Sequence, residues 1–83
     1  MKRLKLTNQC ILVELGRCDG YWLSDSMLAR YLRLTPLAVR RACQDLERRG
    51  YLSIHTVRRG KELISFSCGL TVKGDQWLQQ VTE

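Results

Sequence analysis

Apolar residues in the middle of the chain recur at helical spacing between clear start and stop signals. At 100° per residue, four of them share one face: Val39, Ala42, Cys43 and Leu46. Thr35 is suited to cap free backbone N–H groups, and Pro36 suits the first helical position. Gly50 can adopt the left-handed conformation that ends a helix. The pattern predicts a helix over residues 35–49 with one buried face.

The opposite face of this predicted helix is polar and carries no acidic residue at its centre. It contains Leu37, Arg41, Gln44 and Arg48, with Arg40 to one side and Asp45 to the other. Arginine and glutamine side chains are matched to guanine, adenine and phosphate acceptors. The face therefore indicates a helix that reads nucleic acid, with a solvated amphipathic helix as the plainer alternative.

Ahead of this helix, the pattern predicts another helix and a very short strand. Thr7 is suited to cap a helix that runs to about Leu15 and ends at Gly16. Its apolar residues lie nearly all round it: Cys10, Ile11, Leu12, Val13 and Leu15. Such a helix is either central to a small core or shared with a second subunit. A turn at residues 18–20 then leads to a predicted strand over residues 21–23.

A second helix is predicted over residues 25–32, directly before Thr35. Ser24 or Asp25 can cap it. Its inward-facing residues are Leu28, Ala29 and Leu32. Arg30 and Arg33 point outwards from it. Because only residues 33–35 connect this helix to the next, the two helices must cross steeply, as in a helix-turn-helix.

After Gly50, the spacing of the apolar residues changes from helical to alternating. The two alternating runs are Leu52, Ile54, Thr56 and then Ile64, Phe66, Cys68. They flank Arg58-Arg59-Gly60-Lys61 and predict a β-hairpin with a cationic tip. Thr71 is suited to cap a last helix over residues 72–81, in which Gly74 weakens the first turn.

Charge is concentrated in the central third of the chain. The 83 residues carry a formal net charge of +6, whereas residues 30–61 alone hold nine basic and two acidic residues. Such clustering is typical of a face that binds a polyanion, and nucleic acid fits better than an anionic membrane. The length favours one small α+β domain over residues 1–83, mainly helical. With an apolar run of only four residues at 10–13, we expect a cytoplasmic protein, on the nucleoid in a prokaryote or in host cytoplasm if viral.

No group of residues indicates catalysis or a metal site. The four cysteines form no Cys-x-x-Cys pair, and the one histidine, His55, lies far from each of them. Buried, reduced thiols are favoured over a zinc or redox site. A Gly-rich phosphate loop and a carboxylate pair are both missing from the sequence. We expect a protein that is not an enzyme and uses no cofactor or evident small-molecule ligand.

Three stretches carry a resemblance to a known family: Leu28-Ala29-Arg-Tyr-Leu32-Arg-Leu34-Thr35, Val39…Leu46-Glu-Arg-Arg-Gly50-Tyr-Leu52 and Leu70-Thr71-Val-Lys73-Gly74. Over residues 8–81 the chain resembles winged helix-turn-helix transcriptional regulators of the MarR/PadR/ArsR group, found in bacteria, archaea and their viruses. In the turn between the two helices of the helix-turn-helix, Arg33 stands where such proteins often have glycine, so a strained turn is expected. The paired cysteines of metal-sensing ArsR members are missing, so metal sensing does not carry over.

The resemblance implies a mode of binding to double-stranded DNA. The 35–49 helix would enter the major groove, and the 58–61 tip would reach the minor groove. The implied base contacts are Leu37, Ala38, Arg41 and Gln44, and the implied backbone contacts are Thr35, Arg30, Arg33, Arg40 and Arg48. At the tip, the implied contacts are Arg58, Arg59 and Lys61. A transcriptional repressor is favoured over an activator.

Alternative interpretations accompany these roles. Arg41 could simply pair with Asp45 one turn later, and the cationic tip could serve only to prevent edge-to-edge association. The whole domain could instead be a protein-interaction adaptor, or a DNA-binding accessory factor in recombination or replication. A homodimer is expected because one small module gives limited specificity. Its candidate contacts are Ile11, Leu15, Trp77, Leu78 and Val81.

Overall fold

The computed structural model describes residues 4–18 and 21–82. Within these residues, four helices and three strands follow one another along the chain. They are α1 (Leu6–Arg17), β1 (Leu23–Ser24), α2 (Asp25–Leu32), α3 (Pro36–Arg48), β2 (Leu52–Arg59), β3 (Glu62–Leu70) and α4 (Val72–Thr82). The strands form one antiparallel sheet in the order β1-β3-β2. This confirms the predicted α+β class and the order of a winged helix-turn-helix.

The hairpin of β2 and β3 has the position and the tip that the alternating pattern predicts. Its register runs from Leu52 opposite Leu70 to Arg59 opposite Glu62, with a bulge between Val57 and Arg58. Residues 60–61 connect the two strands, and glycine at position 60 allows a φ of 60° there. The bulge increases the local twist, so the tip is turned relative to the base of the hairpin.

The first strand is shorter than predicted and lies later in the chain. Only Leu23 and Ser24 pair with β3, opposite Cys68 and Ser67, before α2 begins. Trp22 is half exposed and lies against Gly69, where an added Cβ would come within 2.9 Å of the indole ring. The aromatic residues at 21 and 22 therefore misled the prediction, because strand propensity reflects packing on a sheet and not ladder pairing. Residues 19 and 20 of the predicted turn lie outside the described residues.

The core lies between the helices and the inner face of the sheet. Its fully buried side chains include Leu12, Leu28, Val39, Leu46, Leu52 and Cys68. The predicted buried face of α3 is confirmed, since Cys43 is also fully buried and Ala42 packs against the same cluster. Among the described helices, none is long and apolar enough to cross a membrane.

Helix α1 begins and ends one or two residues away from its predicted limits. Its N-terminal cap is Lys5, whose side chain makes no capping hydrogen bond, so the prediction that Thr7 caps this helix is wrong. Gly16 does not end α1 but lies within it. A Cβ at Gly16 would collide with the Leu78 side chain of α4, so the glycine permits close contact between the two helices.

Two of the candidate dimer contacts belong to the core of the chain itself. Ile11 is 0% exposed and Leu15 is 1% exposed, so neither side chain offers surface to a second subunit. The helical pattern indicated that α1 is apolar nearly all round but not that the other three helices and β3 all pack against it. On α4, Trp77 packs partly on the core, Leu78 is buried, and Val81 is exposed.

The end of α3 and the start of α4 are bonded to each other at what we call the α3–α4 junction, residues 49–51 and 71–74. The Thr71 hydroxyl donates to the Gly50 carbonyl and accepts from the Gly74 N–H. Lys73 Nζ donates to the Arg49 carbonyl at 2.8 Å and lies over the Tyr51 ring. A Cβ at Gly74 would collide with the Tyr51 carbonyl. The prediction that Gly74 weakens the first turn considered helix propensity alone; at this position the close approach of the Tyr51 carbonyl leaves no room for a side chain.

Candidate nucleic-acid interface

The connection between α2 and α3 has the tight geometry that the sequence predicts. Ser24 Oγ caps α2 by accepting from the Met27 N–H at 3.1 Å. Arg33 ends it in the left-handed region, with φ 57° and ψ 45°. Thr35 Oγ1 then caps α3 by accepting from the Ala38 N–H at 3.1 Å. The expected strained turn at Arg33 is confirmed, and the left-handed conformation costs a non-glycine residue about 1–2 kcal/mol.

The outer face of α3 is exposed along its length. Its residues are Leu37, Arg41, Gln44 and Arg48, and Ala38 lies half-buried beside them. No other described residue forms a hydrogen bond or a salt bridge with the side chains of Arg41, Gln44 or Arg48. Unsatisfied donors on a rigid helix are free to bond an external partner.

Arg41 does not pair with Asp45, which was the plainer interpretation of its position. Asp45 Oδ2 instead accepts from Asn8 Nδ2 at 2.9 Å and lies 3.2 Å from Arg49 Nε. Partial burial of Asp45 disfavours its charged form, but the hydrogen bond from Asn8 and the charge of Arg49 together outweigh it. The pKa of Asp45 is therefore lowered. The carboxylate of Asp45 is thus bonded to α1 and to the end of α3, and it forms no salt bridge with Arg41.

Arg40 differs from the other exposed arginines of α3 because it already has a partner. Its Nη1 donates to Asp25 Oδ2 at 2.8 Å, which joins α3 to the first turn of α2. The helical pattern placed Arg40 beside the polar face but gave no indication of an acid 15 residues earlier in the chain. Arg30 and Arg33, on and just after α2, are exposed as predicted.

The hairpin and α3 form the two sides of a groove of about 340 Å³. Gln44 lines it from α3, and Arg58 and Thr56 line it from β2. Glu47 fastens the two sides together, since its Oε2 accepts from the Ile54 N–H at 3.0 Å. The tip residues Arg58, Arg59 and Lys61 are all exposed. We call the exposed residues of α3 and of the tip the basic surface: Leu37, Arg41, Gln44, Arg48, Arg58, Arg59 and Lys61.

Sequence reasoning missed the polar side-chain contact that joins α3 to α1. Asn8 is 3% exposed, and it is the one buried polar side chain among the described residues. It bonds Asp45 across 37 positions of sequence. Because Asn8 stands between Thr7 and Gln9 in the polar first turn of α1, nothing in the sequence indicated that its amide would be buried and would need a partner.

The cysteines are free thiols in the described residues, and two of them touch. Cys43 Sγ lies 3.7 Å from Cys68 Sγ, and both side chains are fully buried. The hydrogen bond between them and the burial raise the pKa of Cys43 well above its usual range. A protonated thiol is neither a nucleophile nor a metal ligand. Within the described residues, no three His, Cys, Asp or Glu side chains are grouped as metal ligands would be.

Comparisons with known proteins identify the fold. No model of a protein family matches the chain, and no curated protein matches it. Among solved structures, a mutant of MepR from a multidrug-resistant S. aureus clinical isolate has a TM-score of 0.80 and 20% identity, covering 96% of this chain and 56% of MepR. The adhesin competence repressor AdcR from Streptococcus pyogenes has a TM-score of 0.75 and 21% identity, and the match covers 96% of this chain and 56% of AdcR.

A third solved structure gives the similarity a family name. A MarR family transcription regulator superimposes with a TM-score of 0.74 and 19% identity, covering 94% of this chain and 49% of its own. The chain thus spans about half the length of these neighbours. It has the winged helix-turn-helix fold of the MarR-family transcription regulators.

Proposed function

We propose that this protein binds double-stranded DNA in a sequence-specific way and regulates transcription, acting as a repressor. The observation that carries the proposal is the basic surface, because its arginine and glutamine donors have no partners among the described residues. A B-DNA major groove accepts an α-helix. Occupation of a promoter by such a domain excludes other proteins from the same DNA.

The residues divide into two kinds of contact. Leu37, Ala38, Arg41 and Gln44 are the proposed base readers, since they lie on or beside the outer face of α3. The proposed backbone contacts are Thr35, Arg30, Arg33, Arg40 and Arg48, and the proposed minor-groove contacts are Arg58, Arg59 and Lys61. The fold similarity supports a regulatory role, because AdcR is described as a repressor and another neighbour as a transcription regulator.

Binding to duplex DNA at several salt concentrations tests the proposal. Anisotropy of a labelled duplex of random sequence should show binding at low salt that weakens steeply as salt rises. Arg59→Ala should weaken binding to all sequences and lower the salt slope by about one unit. Lys5→Ala is the matched control, since it removes one positive charge from the exposed residue before α1, outside both the basic surface and the groove between α1 and α4.

Failure of the wild-type protein to bind duplex DNA at low salt would overturn the proposed function. Equal changes for Arg59→Ala and Lys5→Ala would show that the hairpin tip does not contact DNA, but they would leave DNA binding itself intact.

We also propose a homodimer formed through the end of the molecule where α1 meets α4. Val13 and Leu78 line a shallow groove between these helices, and Val81 is 54% exposed nearby. Two copies would read two half-sites, which increases specificity. Light scattering at micromolar concentration measures the state directly, and a monomeric mass would overturn this part of the proposal.

A further inference from the structure

The ion pair between Arg40 and Asp25 is held in a fixed orientation. Asp25 Oδ2 accepts from Arg40 Nη1 at 2.8 Å, while Oδ1 accepts from the Ser26 N–H at 2.8 Å. The carboxylate lies in the first turn of α2, where the helix dipole favours a negative charge. Its side chain is only 13% exposed. Asp25 is therefore a rigid acceptor that fixes the direction of the Arg40 side chain.

Arg40 keeps donors available after making this contact. A guanidinium group has five N–H donors, and the bond to Asp25 is the one hydrogen bond that Arg40 makes to the described residues. Its side chain is 30% exposed and lies between two depressions: it lines the groove between α3 and the hairpin with Arg58 and Thr56, and it lines the neighbouring depression with Asp25. Glu47 also lines the groove, but its carboxylate is bonded to the Ile54 N–H. The groove thus presents two guanidinium groups from two different elements.

We propose that Asp25 is a positioning residue for DNA binding, because it holds Arg40 at the edge of this groove so that Arg40 and Arg58 contact one backbone phosphate of the duplex. The inference rests on the proposed function. Charge-assisted bonds from guanidinium to phosphate are strong and directional, so a guanidinium whose side chain is already ordered loses less freedom on binding. Asp25 itself does not contact DNA in this arrangement.

The sign of the effect of Asp25→Asn separates this role from simple electrostatics. Removal of a negative charge beside a DNA-binding surface should tighten binding if Asp25 acts only through its field. Loss of the positioning contact should weaken binding instead, by about three- to tenfold. A partly exposed ion pair contributes little to folding, so thermal unfolding should change only slightly.

Four further variants make the test complete, with a labelled random duplex and the full chain. Glu14→Gln on α1 is the charge-matched control, since Glu14 lies outside the basic surface and does not line the groove between α1 and α4, and it should bind unchanged or slightly tighter. Arg40→Ala should lower the salt slope by about one unit. Arg40→Lys keeps the charge but lacks the planar fork, so it should weaken binding and keep the slope. The double variant Asp25→Asn/Arg40→Ala should bind no more weakly than Arg40→Ala alone.

Tighter binding by Asp25→Asn, or additive losses in the double variant, would overturn the proposal. If Asp25→Asn failed to fold, Arg40→Lys would decide: binding as tight as that of the wild type would overturn it equally. These outcomes differ from failure of the proposed function, in which the wild-type protein itself would not bind the duplex at low salt.

Discussion

The packing around α4 and the basic surface depend on opposite kinds of contact. Around α4, neighbouring elements approach closely at two glycines, since Gly16 of α1 lies beneath Leu78 and Gly74 lies against the Tyr51 carbonyl. On the basic surface, Arg41 and Gln44 are exposed and have no side-chain partner among the described residues. The close contacts at the two glycines are made within the chain, whereas the outer face of α3 has unused donors.

Because the two regions are built so differently, stability and binding should be separable by substitution. Close packing without voids contributes to folding and responds sharply to added volume. Exposed charged side chains contribute little to folding, because water already solvates them. Variants of the first region should change the free energy of unfolding, and variants of the second should change affinity for DNA.

Gly74→Ala should destabilise the protein more than any other substitution considered for these two regions. The new methyl group would collide with the Tyr51 carbonyl and press on Leu70, so α4 must shift. We expect a loss of about 3 kcal/mol in the free energy of unfolding, measured by urea denaturation. Val72→Ala is the control from the same turn, and since Val72 is 75% exposed it should change stability little. Equal stabilities for Gly74→Ala and the wild type would show that the α3–α4 junction accommodates the added methyl group without loss in the free energy of unfolding.

A smaller effect, confined to binding, should follow from Arg41→Ala. If Arg41 bonds a guanine, the variant should lose about 1–3 kcal/mol at one base position and discriminate less among bases there. Its unfolding midpoint should match that of the wild type. The measurement is a competition series with duplexes that differ at single positions of a selected site. A uniform loss on every duplex would mean that Arg41 contacts phosphate and reads no base.

Asp45→Asn should have the mildest effect of the three, and that effect depends on pH. The pKa of Asp45 is lowered in the folded protein, so its charge stabilises the fold above the unfolded value of about 3.9. That contribution is lost as the pH falls through the lowered folded value. The stability of the wild type should therefore exceed that of the variant at neutral pH, and the difference should shrink below about pH 4. A difference independent of pH, measured by thermal unfolding, would contradict the assignment.

Local patterns predicted the elements that depend on local physics. The caps at Ser24 and Thr35, the left-handed Gly50 and the alternating hairpin strands each follow from neighbouring residues. The turn at Arg33 was also predictable, because three residues between crossing helices leave few backbone paths. These features position the outer face of α3, so the sequence was enough to predict which face of this helix forms the candidate site.

The contacts that hold this face in place could not be predicted in the same way. Asn8 and Asp45 are 37 positions apart, and Arg40 and Asp25 are 15 apart. A single helical pattern carries no information about which distant side chain will meet it. The need for glycine at position 74 likewise follows only from the Tyr51 carbonyl beside it, and the sequence does not show that contact. The same limit explains why Ile11 and Leu15 were predicted as dimer contacts although they are buried within the chain.

The α3–α4 junction has a mechanical consequence. Carbonyls left unpaired at the end of one helix accept from residues at the start of the other, through Thr71 and Lys73. If a second subunit or a further segment of chain pulled on α4, those bonds would have to break or the end of α3 would have to swing with it. A displacement of α4 would therefore be transmitted to the end of α3 at Gly50.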